Sequence, residues 1–407
     1  MPDGRTTDDD AQCCSATAVD VVVVGAGPAG LCFARALAGS GLSVTLIEQQ
    51  PRAALAEAAF DGREIALTHA SRQILETLGV WDRLDPAEIA ALRDAKVMDG
   101  HSPFALTFAA AAATGEDLGW LVPNHLIRRA AWDSVQGQQG LQVLDQASVR
   151  GILPGGPHSE VILADGRRFH ARLVVAADSR FSSTRRMLGI GARMRDFGKS
   201  MLVCRMQIEV PHRHTAWEWF GYGRTMALLP LNGDQASAVI TLPPRHIEAL
   251  LAQDEAAFGR SISTFFDHRL GAMTPAARPI AYPLVGVYAN AFVGERCALI
   301  GDAAVGMHPV TAHGFNLGLQ SQDRLAAVLR RAAERGTDIA APAGLAAYER
   351  GHRLASRPLY EATNAIATLY TDDRLPARML RRAGLRLAHR VAPFRQLIAA
   401  HLTQSSG

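Results

Sequence analysis

The chain has 407 residues, 48% of them hydrophobic and 20% charged, with a formal net charge of +3. That length exceeds one compact domain, so a large domain plus a second is expected, and a charge so near balance gives no sign of a nucleic-acid partner. No uninterrupted apolar run approaches the roughly 18–20 residues that span a bilayer, so the expectation is a soluble cytoplasmic (bacterial) protein, at most peripheral to the inner membrane.

Residues 1–18 carry four acids and no apolar run, which fits neither a signal peptide nor an arginine-rich transit peptide. They are expected to form a disordered tail. Residues 19–24 are a β-branched run suited to a parallel strand buried on both faces. Residues 31–38 have helical character and 43–47 give a second strand, a βαβ unit of ordinary length. The stretch 64–79 reads as a helix ended by Gly79, and another helix is expected from Asn124. Residues 141–176 alternate as short strands, and 200–243 suggest an antiparallel sheet with short connections. Strands return over 284–300, a helix is expected over 315–332, and 344–402 reads as helical and rich in arginine. The five cysteines (Cys13, Cys14, Cys32, Cys204, Cys297) are odd in number and match no metal-ligand spacing, so no metal site is expected.

Two stretches carry chemistry. "GAGPAG" lies between a buried strand and a helix, the context in which this spacing points to an adenine dinucleotide. Gly25 permits a tight turn, Gly27 lets the backbone approach a pyrophosphate, and Gly30 allows close packing of helix on strand. Glu48 ends the second strand, where an acid can accept a hydrogen bond from a ribose hydroxyl. Far downstream comes "LIGDAAVGMHPVTAHGFNLGL", residues 299–319. There Asp302 follows a buried strand and can hold a ribityl or ribose hydroxyl. A helix starting near Gly314 and Asn316 offers free N–H groups to an anionic ligand. His308 and His313 have side chains suited to proton transfer, and equally they are loop residues that shape a pocket.

Around "ALIGDAA" the chain resembles the flavin monooxygenases of the aromatic-hydroxylase superfamily, which carry a Gly-Asp motif at this place. The likeness covers nearly the whole chain after Ala18. Gly62-Arg63 and the segment after them look like that family's flavin-contacting arginine and following helix. Asn124 matches a polar flavin contact at a helix start, and Asp178, Ser182 and Arg185 match its Asp-Gly motif. "HTAWEWF", "MALLPL" and the C-terminal pattern from "YERGHR" onward resemble the ubiquinone-biosynthesis hydroxylase branch, nearest its 5-demethoxyubiquinol 5-hydroxylases. Ser179, Val305, His313 and Ser321 depart from the usual glycine, histidine, glutamine and aspartate.

The resemblance implies an α/β FAD-binding Rossmann-like (GxGxxG) fold with an inserted antiparallel β-sheet substrate domain and a C-terminal helical segment. The FAD-binding domain would comprise 19–85, 119–196 and 284–343, the substrate sheet 86–118 and 197–283, and the helical region 344–407. FAD would be the bound cofactor and NAD(P)H the transient electron donor. With O2, and through a flavin hydroperoxide, the enzyme would hydroxylate a polyprenyl quinol or phenol. Pro309, Trp217, Trp219, Phe220, Leu228 and Pro230 would flank the ring. The basic segment 374–395, with seven arginines and no acid, suits anionic lipid or a partner in a quinone-biosynthesis complex. A hydroxylase of a degradative or secondary pathway, and a flavin-binding accessory subunit, remain as alternative expectations.

Overall fold

The β-branched run near the N-terminus forms the strand Thr17–Val24, with Val21, Val22 and Val23 completely buried. It is sandwiched in parallel between Val44–Ile47 and Arg168–Ala176, as expected of a strand covered on both faces. In this computed structural model, which describes residues 16–100, 105–109, 116–221 and 223–371, three sheets organise the chain. The expected contribution of residues 1–15, with Cys13 and Cys14, and of the basic segment 374–395 lies outside the described residues.

The first sheet has eight strands. Its main path runs Val293–Gly294, Cys297–Leu299, Arg168–Ala176, Thr17–Val24, Val44–Ile47, Leu141–Leu144, and the strands Val149–Leu153 and Ser159–Leu163 extend from Arg168–Ala176. The helices Pro28–Ala36, Asn124–Ser134 and Gly314–Glu334 contribute buried faces to the same core. The strand Cys297–Leu299 pairs in parallel with Arg168–Ala176. Sequence from the last third of the chain is thereby built into the sheet that the N-terminus begins.

The second sheet has nine strands, ordered Val305–Gly306, Ile280–Ala289, Ala192–Ile208, Gln235–Leu242, Thr225–Pro230, Thr215–Phe220, Asp94–Asp99, Ala105–Ala109, with Met273–Pro275 beside Ala192–Ile208. All its pairings are antiparallel except Thr215–Phe220 with Asp94–Asp99. Helices Pro244–Leu251 and Glu255–Phe265 bury Ile247, Phe258 and Ile262 in a core shared with Leu202, Cys204 and Ile240. The strand alternation sends every second residue there and the others to the opposite face.

The third sheet corrects the reading of 64–79. Glu64–Leu67 is a strand paired with Gly119–Pro123, which also pairs with Ala90–Leu92. The helix begins only at His69, after Thr68 caps it by accepting the Ser71 N–H. Among the described residues no helix is long and apolar enough to cross a membrane. The expected α/β fold with an inserted antiparallel sheet and a C-terminal helix, Pro342–Thr371, is the one the chain adopts.

Candidate active site

The glycine loop divides its work among three residues. Gly25 adopts φ +109°, and a Cβ there would sit 2.6 Å from the Ala177 carbonyl oxygen. On Gly30 a Cβ would collide with the Gly25 carbonyl oxygen, whereas on Gly27 it would meet nothing within 4 Å. Gly27 thus leaves open space in front of the helix Pro28–Ala36, whose N-terminus no side chain caps. Its first-turn N–H groups have no intrahelical partner. Glu48 Oε2 accepts the Ala26 N–H at 2.7 Å and Oε1 accepts the Gln50 N–H at 2.9 Å. The carboxylate therefore also holds the loop itself, a role that spacing alone did not reveal.

The second motif arrives at the same place. After Cys297–Leu299 the chain turns through Gly301–Ala303, and a Cβ on Gly301 would lie 2.9 Å from that of Ala29. Asp302 is half-exposed and receives a hydrogen bond from Arg180 Nη2 at 3.1 Å. Asp178 accepts the Thr184 N–H through Oδ2, while its buried Oδ1 has no partner. Ser179 is not among the residues of positive φ, so serine in the glycine place carries no left-handed strain. Its Oγ accepts the Phe181 N–H instead.

The helix Gly314–Glu334 starts without a side-chain cap. Asn316 is 3% exposed; its Oδ1 accepts the Thr68 N–H and its Nδ2 donates to the carbonyls of Ala66 and Ala312. Its side chain pins the helix start to the Glu64–Leu67 strand, leaving its backbone N–H for a ligand. Beside this start a cavity of about 20 Å³ is bordered by Thr68, Leu118, Ala312 and His313.

A second group gathers around Asp61, which sequence reading passed over. Its carboxylate pairs with Arg63 at 2.6 Å and accepts from Asn124 Nδ2 at 2.7 Å. Its carbonyl accepts the Tyr282 hydroxyl at 2.6 Å, and the Arg63 guanidinium lies 5.5 Å from the Tyr282 ring centre. Tyr282 belongs to the nine-stranded sheet, so this cluster joins the sheet to the loop 60–63. Arg205, from the same sheet, bonds Glu64 Oε1 at 2.8 Å, and the Glu64 side chain is wholly buried. Burial pushes the Glu64 carboxyl up, and Arg205 pulls it back down.

Two sequence expectations change here. His308 is 6% exposed, its Nδ1 accepts the Val310 N–H, and its ring packs edge-on against Phe197. Burial, with Lys199 and Arg195 nearby, pushes it down to about 4. A neutral imidazole holding the turn at Pro309 is a poor proton acceptor at neutral pH, and this argues for a shaping role. The second change concerns the sheet. Trp217, Trp219 and Leu228 pack in the helix-covered core with Phe266, and the register puts Pro230 on that same face. They face away from the loop 60–63, and alternation alone cannot say which of two apolar faces holds a ligand. Phe220 lies on the opposite face, with Val203, which a Cβ on Gly62 would touch at 3.0 Å.

The FAD binding domain family matches residues 18–363. The ubiquinone hydroxylase UbiM of Neisseria meningitidis is 47% identical over 94% of this chain and 84% of its own length. The chain belongs to the FAD-dependent hydroxylases of ubiquinone biosynthesis. Similarity to UbiM exceeds that to the 3-demethoxyubiquinol 3-hydroxylase of Escherichia coli, which is 29% identical over 91% of this chain and 95% of its own. The fold is shared with P. aeruginosa PqsL in complex with 2-aminobenzoylacetate, at TM-score 0.76 and 21% identity, over 91% of this chain and all of that one.

Membership makes this an FAD-dependent monooxygenase, and the residues present fit that cofactor. The open space at Gly27, the orphaned Asp178 oxygen and the uncapped helix at Gly314 are what a long, doubly anionic ligand would use. The family's usual aspartate is replaced by Ser321, whose Oγ accepts the Gly301 N–H at 3.0 Å and donates to the Gly318 carbonyl. Serine here ties the turn of the Gly-Asp motif to the helix behind it. Ser321→Ala leaves a buried N–H unsatisfied and is expected to cost about 1–3 kcal/mol. Denaturant titration of the apoprotein measures that loss, and an unchanged midpoint would remove Ser321 from this role.

Proposed function

We propose that this hydroxylase acts on the aromatic ring of a polyprenylated quinol or phenol, with NAD(P)H as electron donor and O2 as oxygen source. The observation that carries the reading is the face of the nine-stranded sheet turned toward the loop 60–63. Ala95, Val97, Ala216, Ala227, Leu229 and Val239 share that face by register and are each half-buried, whereas Trp219, Met226, Leu228 and Ala238 on the helix-covered face are buried. A half-open apolar floor suits a ring carrying an isoprenoid chain better than a small charged phenolic acid. The name of UbiM supports the same choice.

Bound FAD supplies the activation of O2 and its transfer to the ring. The chain holds, orients and shields. Gly27 and the first turn of Pro28–Ala36 would receive the pyrophosphate, Glu48 a ribose hydroxyl and Asp302 the ribityl chain. The N–H groups at 314–316 would hold the flavin end of the cofactor, where a helix N-terminus stabilises negative charge. Arg63 and Asn124, fixed through Asp61, would border the ring, and Pro309 with His313 would close its other edge.

Purified protein is expected to carry FAD, to consume NAD(P)H with a prenylated phenol, and to yield the hydroxylated ring in step with NAD(P)H use. A deletion strain should accumulate the quinone precursor lacking that hydroxyl. Flavin-free protein, or NAD(P)H consumed without ring hydroxylation, would overturn the proposal.

A further inference from the structure

Between the two tryptophans that turn toward the helices, the chain places one acid on the opposite face. Glu218 pairs with Ala227 on one neighbouring strand and with Val97 on the other. Around it on that face lie Ala216, Phe220 and Leu229. Two apolar clusters flank the position, one holding Val97, Leu106 and Phe108, the other Val203, Val239 and Tyr282. The second cluster is the one that meets the loop 60–63. Glu218 is half-buried and has no hydrogen-bond or ion-pair partner among the described residues. A carboxyl in an apolar floor without a partner is costly, and such a group persists where function needs it.

We infer that Glu218 is the catalytic residue that binds a hydroxyl of the substrate ring and takes its proton as the ring is attacked. The inference rests on the quinol or phenol reading above. A phenol attacks an electrophilic oxygen faster as its own O–H bond loosens. In the step, the ring O–H bond breaks and the proton goes to a Glu218 oxygen. The freed electron pair enters the ring while a ring carbon bonds to the oxygen that the hydroxylation supplies. When aromaticity returns, that carbon sheds its hydrogen to water as a proton, and Glu218 returns its proton to the ring oxygen.

Burial alone pushes the Glu218 carboxyl up to about 8. Among the described residues the other ionisable groups on this face include Asp99, on the neighbouring strand, Arg205, three strands away and paired with Glu64, and Tyr282, one strand further, whose hydroxyl donates to the Asp61 carbonyl beside Arg63. A base with that value works best near neutral to mildly alkaline pH. Sensitivity to pH therefore separates a proton-accepting Glu218 from one that only fills space.

The test uses the FAD-loaded enzyme, NAD(P)H and a phenol bearing one prenyl group. In the wild type, kcat/KM for hydroxylation should rise with pH through about 8. Affinity of the oxidised enzyme for the probe, read from the perturbed flavin absorbance, should rise with it. Glu218→Gln should keep its FAD and still bind the probe at pH 6, lose roughly 100-fold or more in kcat, and flatten both pH dependences. Glu218→Asp should restore part of kcat and the pH-dependent limb. If Glu218→Gln matches the wild type in kcat and pH profile while both hydroxylate the probe, this inference fails and the quinol or phenol reading stands. If the wild type neither binds nor hydroxylates any prenylated phenol, both fall.

Discussion

Gly30→Ala is expected to destabilise the fold severely, whereas Gly27→Val should fold and be purified without flavin. The two positions lie three residues apart, yet their surroundings are opposite. The first added carbon would be driven into the Gly25 carbonyl oxygen and within 3.2 Å of the Ala177 Cβ. Neither neighbour is the free end of a side chain, so relief requires moving the helix off the strand. Overpacking of this kind costs about 3 kcal/mol or more, a large part of the roughly 5–15 kcal/mol that holds a domain together. At Gly27 the backbone has φ −69° and ψ 175°, which valine adopts freely, and a Cβ has open space. Stability should change by less than about 1 kcal/mol. The isopropyl group would nonetheless fill the approach of a pyrophosphate. Circular dichroism melting of the apoproteins and the flavin absorbance of the purified proteins read the two effects separately. A Gly27→Val protein that retains one FAD per chain would show that the phosphates lie elsewhere.

Arg205→Leu is the second large effect, expected to cost about 3–5 kcal/mol near pH 8 because it leaves a buried carboxylate unpaired. Glu64 has one oxygen bonded to Arg205 and the other already without a partner. Its carboxyl is raised in the folded state by burial, so the folded protein holds that proton more readily than the unfolded chain. The destabilisation is therefore absent below the unfolded value of 4.5 and grows as pH rises through the folded value. Without Arg205 the folded value climbs further, and the variant should recover stability as pH is lowered from 8 to 5.5. Urea titrations of wild type and variant at both pH values test the sign. Equal losses at the two would mean that packing of the arginine, not charge, holds the two sheets together.

What the sequence made legible was local. The glycine loop is set by steric demands within six residues, and its strand, helix and Glu48 stand where spacing placed them. Asp302 was legible for the same reason, since it directly follows a buried apolar run. The strand Glu64–Leu67 was not. Four residues, three of them apolar, fit either period, and the choice is made by pairing with Gly119–Pro123, far along the chain. The tryptophans failed in another way: their alternation was plain, but both faces of that sheet carry apolar residues. Helices Pro244–Leu251 and Glu255–Phe265 decide which face closes, and nothing in "AWEWF" refers to them. Glu218 was hidden by the same ambiguity, and Asp61 by having no motif of its own.

The hydrogen bonds that tie Asn316 to Ala66 and Thr68 also set an expected order of events during synthesis. The glycine loop and its strand leave the ribosome early, but the sheet they begin lacks Cys297–Leu299 until the last third of the chain is made. Contacts across such a separation form late, because the long loop must close before they repay its entropy. On the proposed site, FAD capture is therefore expected only near the end of translation, since a nascent chain stalled before Asn316 would offer one half of it. Cofactor loading would then report completion of the polypeptide, and a chain truncated before Asn316 is expected to be purified free of flavin.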